Sequence, residues 1–297
     1  MNNHNIVLGF SESLQQAQSL AAELGFPCDE IRLHRFPDAE HRLQVPGSLP
    51  ENVILFLSLD YPNEKLIELL LAAGAVRENG ATRLLLVAPY LCYMRQDIAF
   101  HEGEAVSQQI IGKLLADTVD AVITVDPHLH RITRLQQAVP LDHALALTAA
   151  EPMAAFLAKQ FEKPLLIGPD DESRQWVESI ASGRGFDFTV ATKERFGDRN
   201  VRIHLPEDKP VVGRDVVIVD DIASTGRTII AAAQSILAGK PKSLSVLVTH
   251  ALFAGDAETR IRELAVDHIW STDSIKHPTN AIPLTSLLAD GVRSVFS

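Results

Sequence analysis

Short apolar runs recur along the chain at residues 6–8, 53–57, 84–87, 121–125, 165–167, 216–219 and 246–248. None alternates with polar residues, so each predicts a strand covered on both faces, the mark of a parallel sheet. Between them lie longer stretches with apolar positions at helical spacing, and the alternation of the two predicts an α/β fold. The order also repeats. A helix, a glycine turn and a strand read as GAVRENGATRLLLVAPY at 74–90 and again as SILAGKPKSLSVLVTHALF at 235–253. A strand ending in aspartate follows each, as DAVITVDP at 120–127 and VDHIWSTDS at 266–274. The expectation is two similar domains, each a mainly parallel sheet flanked by helices, spanning 1–148 and 149–297. The join falls near 147–152, where no Pro/Gly/Ser-rich linker or low-complexity segment marks it.

Candidate chemistry concentrates where the run 216–219 ends. In VVIVDDIASTGRTII, residues 216–230, a strand runs into Asp220 and Asp221, then a short loop through Ser224, Thr225 and Gly226, then an apolar-periodic helix. Parallel sheets place ligands at the carboxyl ends of strands, and the first amides of a helix lack partners and attract an anion. The loop lacks the Gly-Lys-Ser/Thr ending of a triphosphate cradle, and two fixed carboxylates repel a polyphosphate that no metal screens. A sugar monophosphate therefore fits better, beside the plain alternative of a capped acidic turn. Three other segments carry polar groups at strand edges or in charged runs. PYLCYMRQD presents Arg95, Gln96 and Asp97; TVDPHLHRI presents Asp126, His128 and His130; TVATKERFGDRNVR, at 189–202, is a mixed charge run. Imidazole with carboxylate suits a divalent metal, although a lone histidine at a strand end more often makes a structural hydrogen bond.

Composition narrows the classes. With 297 residues, 46% apolar and 22% charged, and a mean hydropathy of +0.07, the chain has material for two cores. A net charge of -11 and a pI near 5.4 argue against nucleic acid as the partner. Only Cys28 and Cys92 occur, the start MNNHNIVLGF has no signal-peptide pattern, and no apolar run reaches membrane-spanning length. The expected address is the cytoplasm, with no membrane partner.

Residues 216–230 resemble the phosphoribosyl diphosphate (PRPP) motif shared by phosphoribosyltransferases and PRPP synthetases. The resemblance implies that Asp220 and Asp221 hold the ribose hydroxyls and that Ser224, Thr225, Gly226, Arg227 and Thr228 hold the 5-phosphate. Ser224 stands where many members have Asp, and Arg227 where a second glycine is usual. RFPDAE at 35–40, PYLCYMRQD and the following FHEGEAVSQQIIGKLLA resemble the adenine-nucleotide region of ribose-phosphate pyrophosphokinases, which phosphoribosyltransferases lack. From that family follow two phosphoribosyltransferase-like domains and an ATP site in which Phe36 stacks on adenine. Asp38 and Glu40 read its edge from a neighbouring subunit, and Arg95, Gln96 and Asp97 contact ATP. Ala39 departs from the usual glycine.

The same resemblance, nearest to the archaeal-type branch through PHLHR, makes His128 and Asp170 ligands of magnesium, with His130 the weaker candidate. It makes Lys193 and Arg195 the catalytic pair of a flap that closes over the transferred diphosphoryl group. After Asp170, Asp171-Glu172-Ser173-Arg174 replaces the family's glycine-bearing loop, placing three carboxylates beside pyrophosphate. The implied enzyme is a ribose-phosphate diphosphokinase, transferring diphosphate from MgATP to the anomeric hydroxyl of ribose 5-phosphate. It acts as a homo-oligomer, a dimer or a tetramer or hexamer. The alternatives are a catalytically silent PRPP-sensing homologue and a phosphoribosyltransferase.

Overall fold

The computed structural model describes residues 4–196, 200–205 and 209–296, and divides the chain into two compact units. The first comprises Met1–Leu147 with Thr285–Ser297, the second Thr148–Leu284.

Each predicted run is a strand in the structure. In the first unit these are β1 (Asn5–Phe10), β4 (Asn52–Phe56), β5 (Arg83–Val87) and β6 (Ala121–Val125), paired in parallel. β2 (Cys28–Arg35) and β3 (His41–Gln44) form a hairpin at one edge, and β7 (His143–Leu147) closes the other. The sheet order is β3-β2-β1-β4-β5-β6-β7. Helices α1 (Leu14–Leu24), α2 (Pro62–Glu78) and α3 (Ser107–Thr118) make the crossovers, and residues such as Leu55, Leu69, Leu86 and Leu115 form a core with no more than 1% exposure.

The second unit has α4 (Ala150–Gln160), β8 (Leu165–Gly168), α5 (Arg174–Ser182) and β9 (Asp187–Val190). It continues with the antiparallel ribbon β10 (Thr192–Phe196) and β11 (Asn200–His204), then β12 (Asp215–Ala223), α6 (Arg227–Ala238), β13 (Ser243–Ala251), α7 (Ala257–Arg262), β14 (His268–Thr272) and β15 (Asn280–Ile282). Its sheet order is β15-β14-β13-β12-β8-β9. Reading that sheet from β9 gives the same sequence of connections as β2-β1-β4-β5-β6-β7, so the repeat seen in sequence is a repeat of topology. In both, the strand order reverses between two central neighbours, β1/β4 and β8/β12, which leaves a crevice at their carboxyl ends. β12 and β13 run further than their apolar cores, because each supplies the other with backbone partners through Ile222↔His250 and Ala223↔Ala251.

The division corrects the expected boundary at one end. The closing helix α8 (Thr285–Phe296) is a member of the first unit, not of a domain spanning 149–297. Its apolar stripe, Leu288, Ala289, Val292 and Val295, is buried. Arg83 donates to the Val295 carbonyl at 2.6 Å, and Arg293 donates to that of Glu23 at 2.9 Å. Gly291 brings the helix close to β7, since a Cβ would stand 2.9 Å from Leu147 Cδ1 and push that side chain aside. Among the described residues no helix is long and apolar enough to cross a membrane.

Leu288, only 3% exposed, should therefore stabilise the first unit. Leu288→Ala is expected to cost about 2–5 kcal/mol in urea unfolding, through lost burial and the cavity left behind.

Candidate active site

In the second unit the crevice is built from the ends of β8 and β12. β12 carries Asp220, partly buried, and Asp221, 2% exposed, inside the strand rather than just beyond it. Asp221 N–H donates to Asp220 Oδ1 at 3.1 Å. Burial, reinforced by the charges of Asp221 and Asp170, holds the Asp220 carboxyl well above the usual carboxylate range. Those three residues are thus electrostatic neighbours. Gly226, at φ 69, takes the left-handed cap position before α6, and a Cβ there would come within 3.3 Å of Ala257 and Ile261. The turn is held from outside: Phe253 N–H donates to Ala223 O at 2.7 Å and Ala254 N–H to Ser224 O at 3.0 Å. Ser224, Thr225 and Thr228 line this turn, with Thr225 exposed. Arg227 is the first helical residue and exposed, so its bulk occupies no position that needs glycine.

After β8 the chain makes a single tight turn at Asp171–Ser173 before α5. Ser173 Oγ donates to Asp170 O at 2.6 Å, and Gly168 makes room for that hydroxyl, since a Cβ would lie 2.4 Å from it. Arg174 reaches Asp171 at 3.3 Å, offsetting one of the added carboxylates.

The first unit builds the same corner with a different charge. Gly9 and Gly168 lie at the ends of β1 and β8 and Ser13 and Ser173 in the turns that follow, and Ser13 Oγ donates to Phe56 O at 3.2 Å. Here, however, the Lys65 ammonium fills the corner, donating to Asp60 at 2.7 Å, Glu12 at 2.6 Å and Ser58 O at 2.9 Å. Glu12, Asp60 and Lys65 line a crevice of about 610 Å³ with Tyr61, Asn63 and Glu68. Sequence reading missed this cluster; GFSES at 9–13, set beside GPDDES at 168–173, could have flagged Glu12, while Asp60 and Lys65 carry no local signal.

The adenine-region residues occupy two places in the first unit. Phe36, Asp38 and Glu40 form the exposed tip of the β2–β3 hairpin, where Phe36 N–H donates to Glu40 O at 2.8 Å and Glu40 N–H to Asp38 Oδ1 at 3.2 Å. Phe36 is 37% exposed and makes an edge contact with His34. Ala39 has φ 70, which explains the glycine usual at this position.

Arg95, Gln96 and Asp97 lie in the loop after β5, Arg95 exposed. Gln96 is committed to the fold: its Nε2 donates to Ala105 O at 2.6 Å and its Oε1 accepts from the backbone and hydroxyl of Ser107, capping α3. Asp97, its side chain 3% exposed, accepts from Arg131 at 2.6 Å, while its buried Oδ2 has no hydrogen bond among the described residues. This joins the loop to the segment after β6, where His128 Nε2 and His130 Nε2 face one another at 2.6 Å. Neighbouring Cys92 is no nucleophile, since burial pushes its thiol up to about 12.

Lys193 and Arg195 are on β10, paired with Ile203 and Val201 of β11. Their side chains, and the turn of the expected flap at 197–199, lie outside the described residues. His128 belongs to the first unit and Asp170 to the second.

Residues 6–118 match the N-terminal domain of ribose phosphate pyrophosphokinase, and residues 141–283 match the phosphoribosyl transferase domain. The chain is 33% identical over 293 residues to the ribose-phosphate pyrophosphokinase of Methanopyrus kandleri, covering 98% of this chain and 99% of that one. The chain belongs to the ribose-phosphate pyrophosphokinase family. The enzyme of that name from Saccharolobus solfataricus is also 33% identical, over 91% of this chain and 93% of its own, and these relatives are archaeal. The phosphoribosylpyrophosphate synthetase of Mycobacterium smegmatis has the same fold, with a TM-score of 0.82, 20% identity, and coverage of 98% and 99%. Members of this pyrophosphokinase family are enzymes, and the pair of PRTase-like sheets expected from sequence is the family's architecture.

Two outcomes follow. Ala39→Gly relieves a left-handed alanine and should raise stability by about 0.5–1 kcal/mol in urea unfolding. Asp220→Asn keeps the acceptor for Asp221 N–H but removes a charge the fold disfavours. The wild-type carboxyl has a folded pKa above its unfolded one, so its contribution is full below about pH 4 and lost as pH rises through the folded value. Asn loses nothing, and the variant's stability advantage should be near zero at pH 4 and grow toward pH 8.

Proposed function

We propose that this chain is a cytoplasmic ribose-phosphate diphosphokinase, transferring the diphosphoryl group of ATP to the anomeric hydroxyl of ribose 5-phosphate to give PRPP and AMP. The observation that carries the reading is the coexistence, in one family member, of the Asp220/Asp221 crevice with its Gly226 phosphate turn and a separate adenine-type hairpin tip. A phosphoribosyltransferase has no use for the second.

In this reading the second unit binds the sugar. Asp220 and Asp221 accept from the ribose hydroxyls, and the amides and hydroxyls of Ser224, Thr225, Gly226, Arg227 and Thr228 take the 5-phosphate at the start of α6, where the helix dipole favours an anion. Arg227, free of any steric role, adds a cation to that phosphate. The first unit holds ATP. Phe36 offers a stacking face, Asp38 and Glu40 accept from the exocyclic amine, Arg95 meets the nucleotide, and Asp97, buried against Arg131, and Gln96, against α3, contribute by holding the loop in place. Exposure of the whole hairpin tip supports its use by a neighbouring subunit in a homo-oligomer.

The donor set fits magnesium. Asp170, Asp220 and Asp221 are oxygen ligands crowded enough to raise one carboxyl, and the duplicate crevice fills its corner with a lysine cation. Asp170 would hold the ion within the second unit, and the ion when bound would neutralise phosphate charge. The transfer itself needs no covalent intermediate: the anomeric oxygen attacks the β-phosphorus while AMP leaves, and the protein supplies alignment and positive charge. Lys193 and Arg195 are assigned to the charge that develops on the transferred group.

Purified protein given ribose 5-phosphate, ATP and magnesium should form AMP and PRPP in equal amounts. Lys193→Ala should lower kcat by about 10²–10³-fold, the usual scale for one charge-stabilising group. Phe36→Ala should raise KM for ATP about tenfold, a stacking loss near 1.4 kcal/mol, and leave KM for ribose 5-phosphate unchanged. Binding of both substrates with no product would refute the assignment.

A further inference from the structure

We infer that His277 is a positioning residue for the sugar-phosphate end of the site: it holds Phe253, and through Phe253 the turn that takes the 5-phosphate. The inference rests on the reading of residues 224–228 as the phosphate turn. Three observations carry it. First, that turn is pinned by its carbonyls and not by its amides, since Phe253 and Ala254 donate to Ala223 O and Ser224 O. In a trans peptide the N–H points opposite to the C=O, so these two bonds turn the N–H groups of Ser224 and Thr225 away from the segment after β13. Second, Phe253 stands at φ 37, a left-handed conformation that an aromatic residue keeps only where its surroundings impose it. Third, His277 supplies part of those surroundings, its ring lying 5.0 Å from that of Phe253 at an interplanar angle of 40°.

The imidazole is itself fixed on every side that carries a polar atom. Its backbone N–H donates to Asn280 Oδ1 at 2.9 Å. Thr279 N–H donates to Nδ1 at 3.3 Å, with the Thr279 hydroxyl at 2.8 Å, so Nδ1 keeps its lone pair and the neutral ring carries its proton on Nε2. Nε2 faces Glu258 Oε2 at 3.4 Å, and Arg262 holds the other oxygen of that carboxylate at 2.8 Å. Glu258 belongs to α7, the helix whose Ala257 and Ile261 lie against Gly226. Helix α7 thus meets the turn directly at Gly226 and again through Glu258, His277 and Phe253. Backbone amides that bind a phosphate gain most when they are aimed before it arrives, because hydrogen bonds to an anion are strong and weaken steeply with misalignment.

The test is calorimetric binding of ribose 5-phosphate to the full-length protein, beside steady-state kinetics. His277→Ala should weaken ribose 5-phosphate binding about tenfold, the scale of one hydrogen bond to a charged group, and raise its KM in step. Its KM for ATP and its kcat at saturating ribose 5-phosphate should stay at the wild-type values. Phe253→Gly relieves the left-handed strain but removes the ring, so it should lose affinity by a similar factor, and adding His277→Ala to it should cost nothing further. Should His277→Ala not fold, His277→Asn keeps an acceptor for Thr279 N–H without the ring and is expected to show the same loss. Unchanged affinity in the His277 variants, additive losses in the double variant, or an equal rise in KM for ATP would overturn the role of His277. Wild-type affinity in a variant carrying both Thr225→Val and Thr228→Val would instead overturn the phosphate reading on which it rests.

Discussion

Carboxylate crowding at the carboxyl ends of β8 and β12 is the constraint on which the second unit's site depends. Asp170, Asp220 and Asp221 are held together although burial and mutual repulsion push the Asp220 carboxyl upward. A fold does not keep such a cluster for stability, since neutral residues of the same size would fit the strands at lower cost. The supporting parts all serve to hold it. Gly168 admits Ser173 close to the backbone, Gly226 turns the chain left-handed into α6, and the segment after β13 pins the loop from outside. The arrangement is stressed until positive charge or hydroxyl donors enter, so ligand binding and local stabilisation are one event.

The first unit shows what happens when the same topology is given its own cation. At the reversal between β1 and β4 the Lys65 ammonium spends its three donors on Asp60, Glu12 and Ser58 O. That corner is satisfied without any ligand. The two units thus share one strand topology at their reversals, but only the first places a lysine there to pair with its carboxylates.

Much of this was legible in the sequence, for identifiable reasons. All seven apolar runs are strands because buried parallel strands must be apolar on both faces, and the recurrence of helix, glycine turn and strand marks two sheets of equal order. The pair Asp220-Asp221 and the glycine after it announced the turn from β12 into α6. Other features were hidden because they depend on contacts distant in sequence. β2 and β3 form a largely exposed hairpin at the sheet edge whose polar residues hide their pattern. α8 returns to the first unit through Arg83 and Arg293, a choice no local periodicity records. Gln96, placed with ATP by resemblance, proves to cap α3, because Ser107 and Ala105 lie next to it only once the loop has folded.

Departures from the family pattern turn on backbone geometry rather than on residue type. Ala39 sits at φ 70, so replacing glycine there leaves a strained residue at the tip of the hairpin without moving the carboxylates on either side. Arg227 is more radical as a substitution and milder in effect, because the left-handed position belongs to Gly226 and residue 227 is already helical and exposed. The acidic stretch after Asp170 follows the same logic. Ser173 closes it through a backbone carbonyl, Arg174 pairs with Asp171, and the turn needs no glycine within it because Gly168, before it, makes the room. A site can therefore change its residues while keeping its backbone course so long as the few positions with demanding φ or close contacts retain a residue that tolerates them.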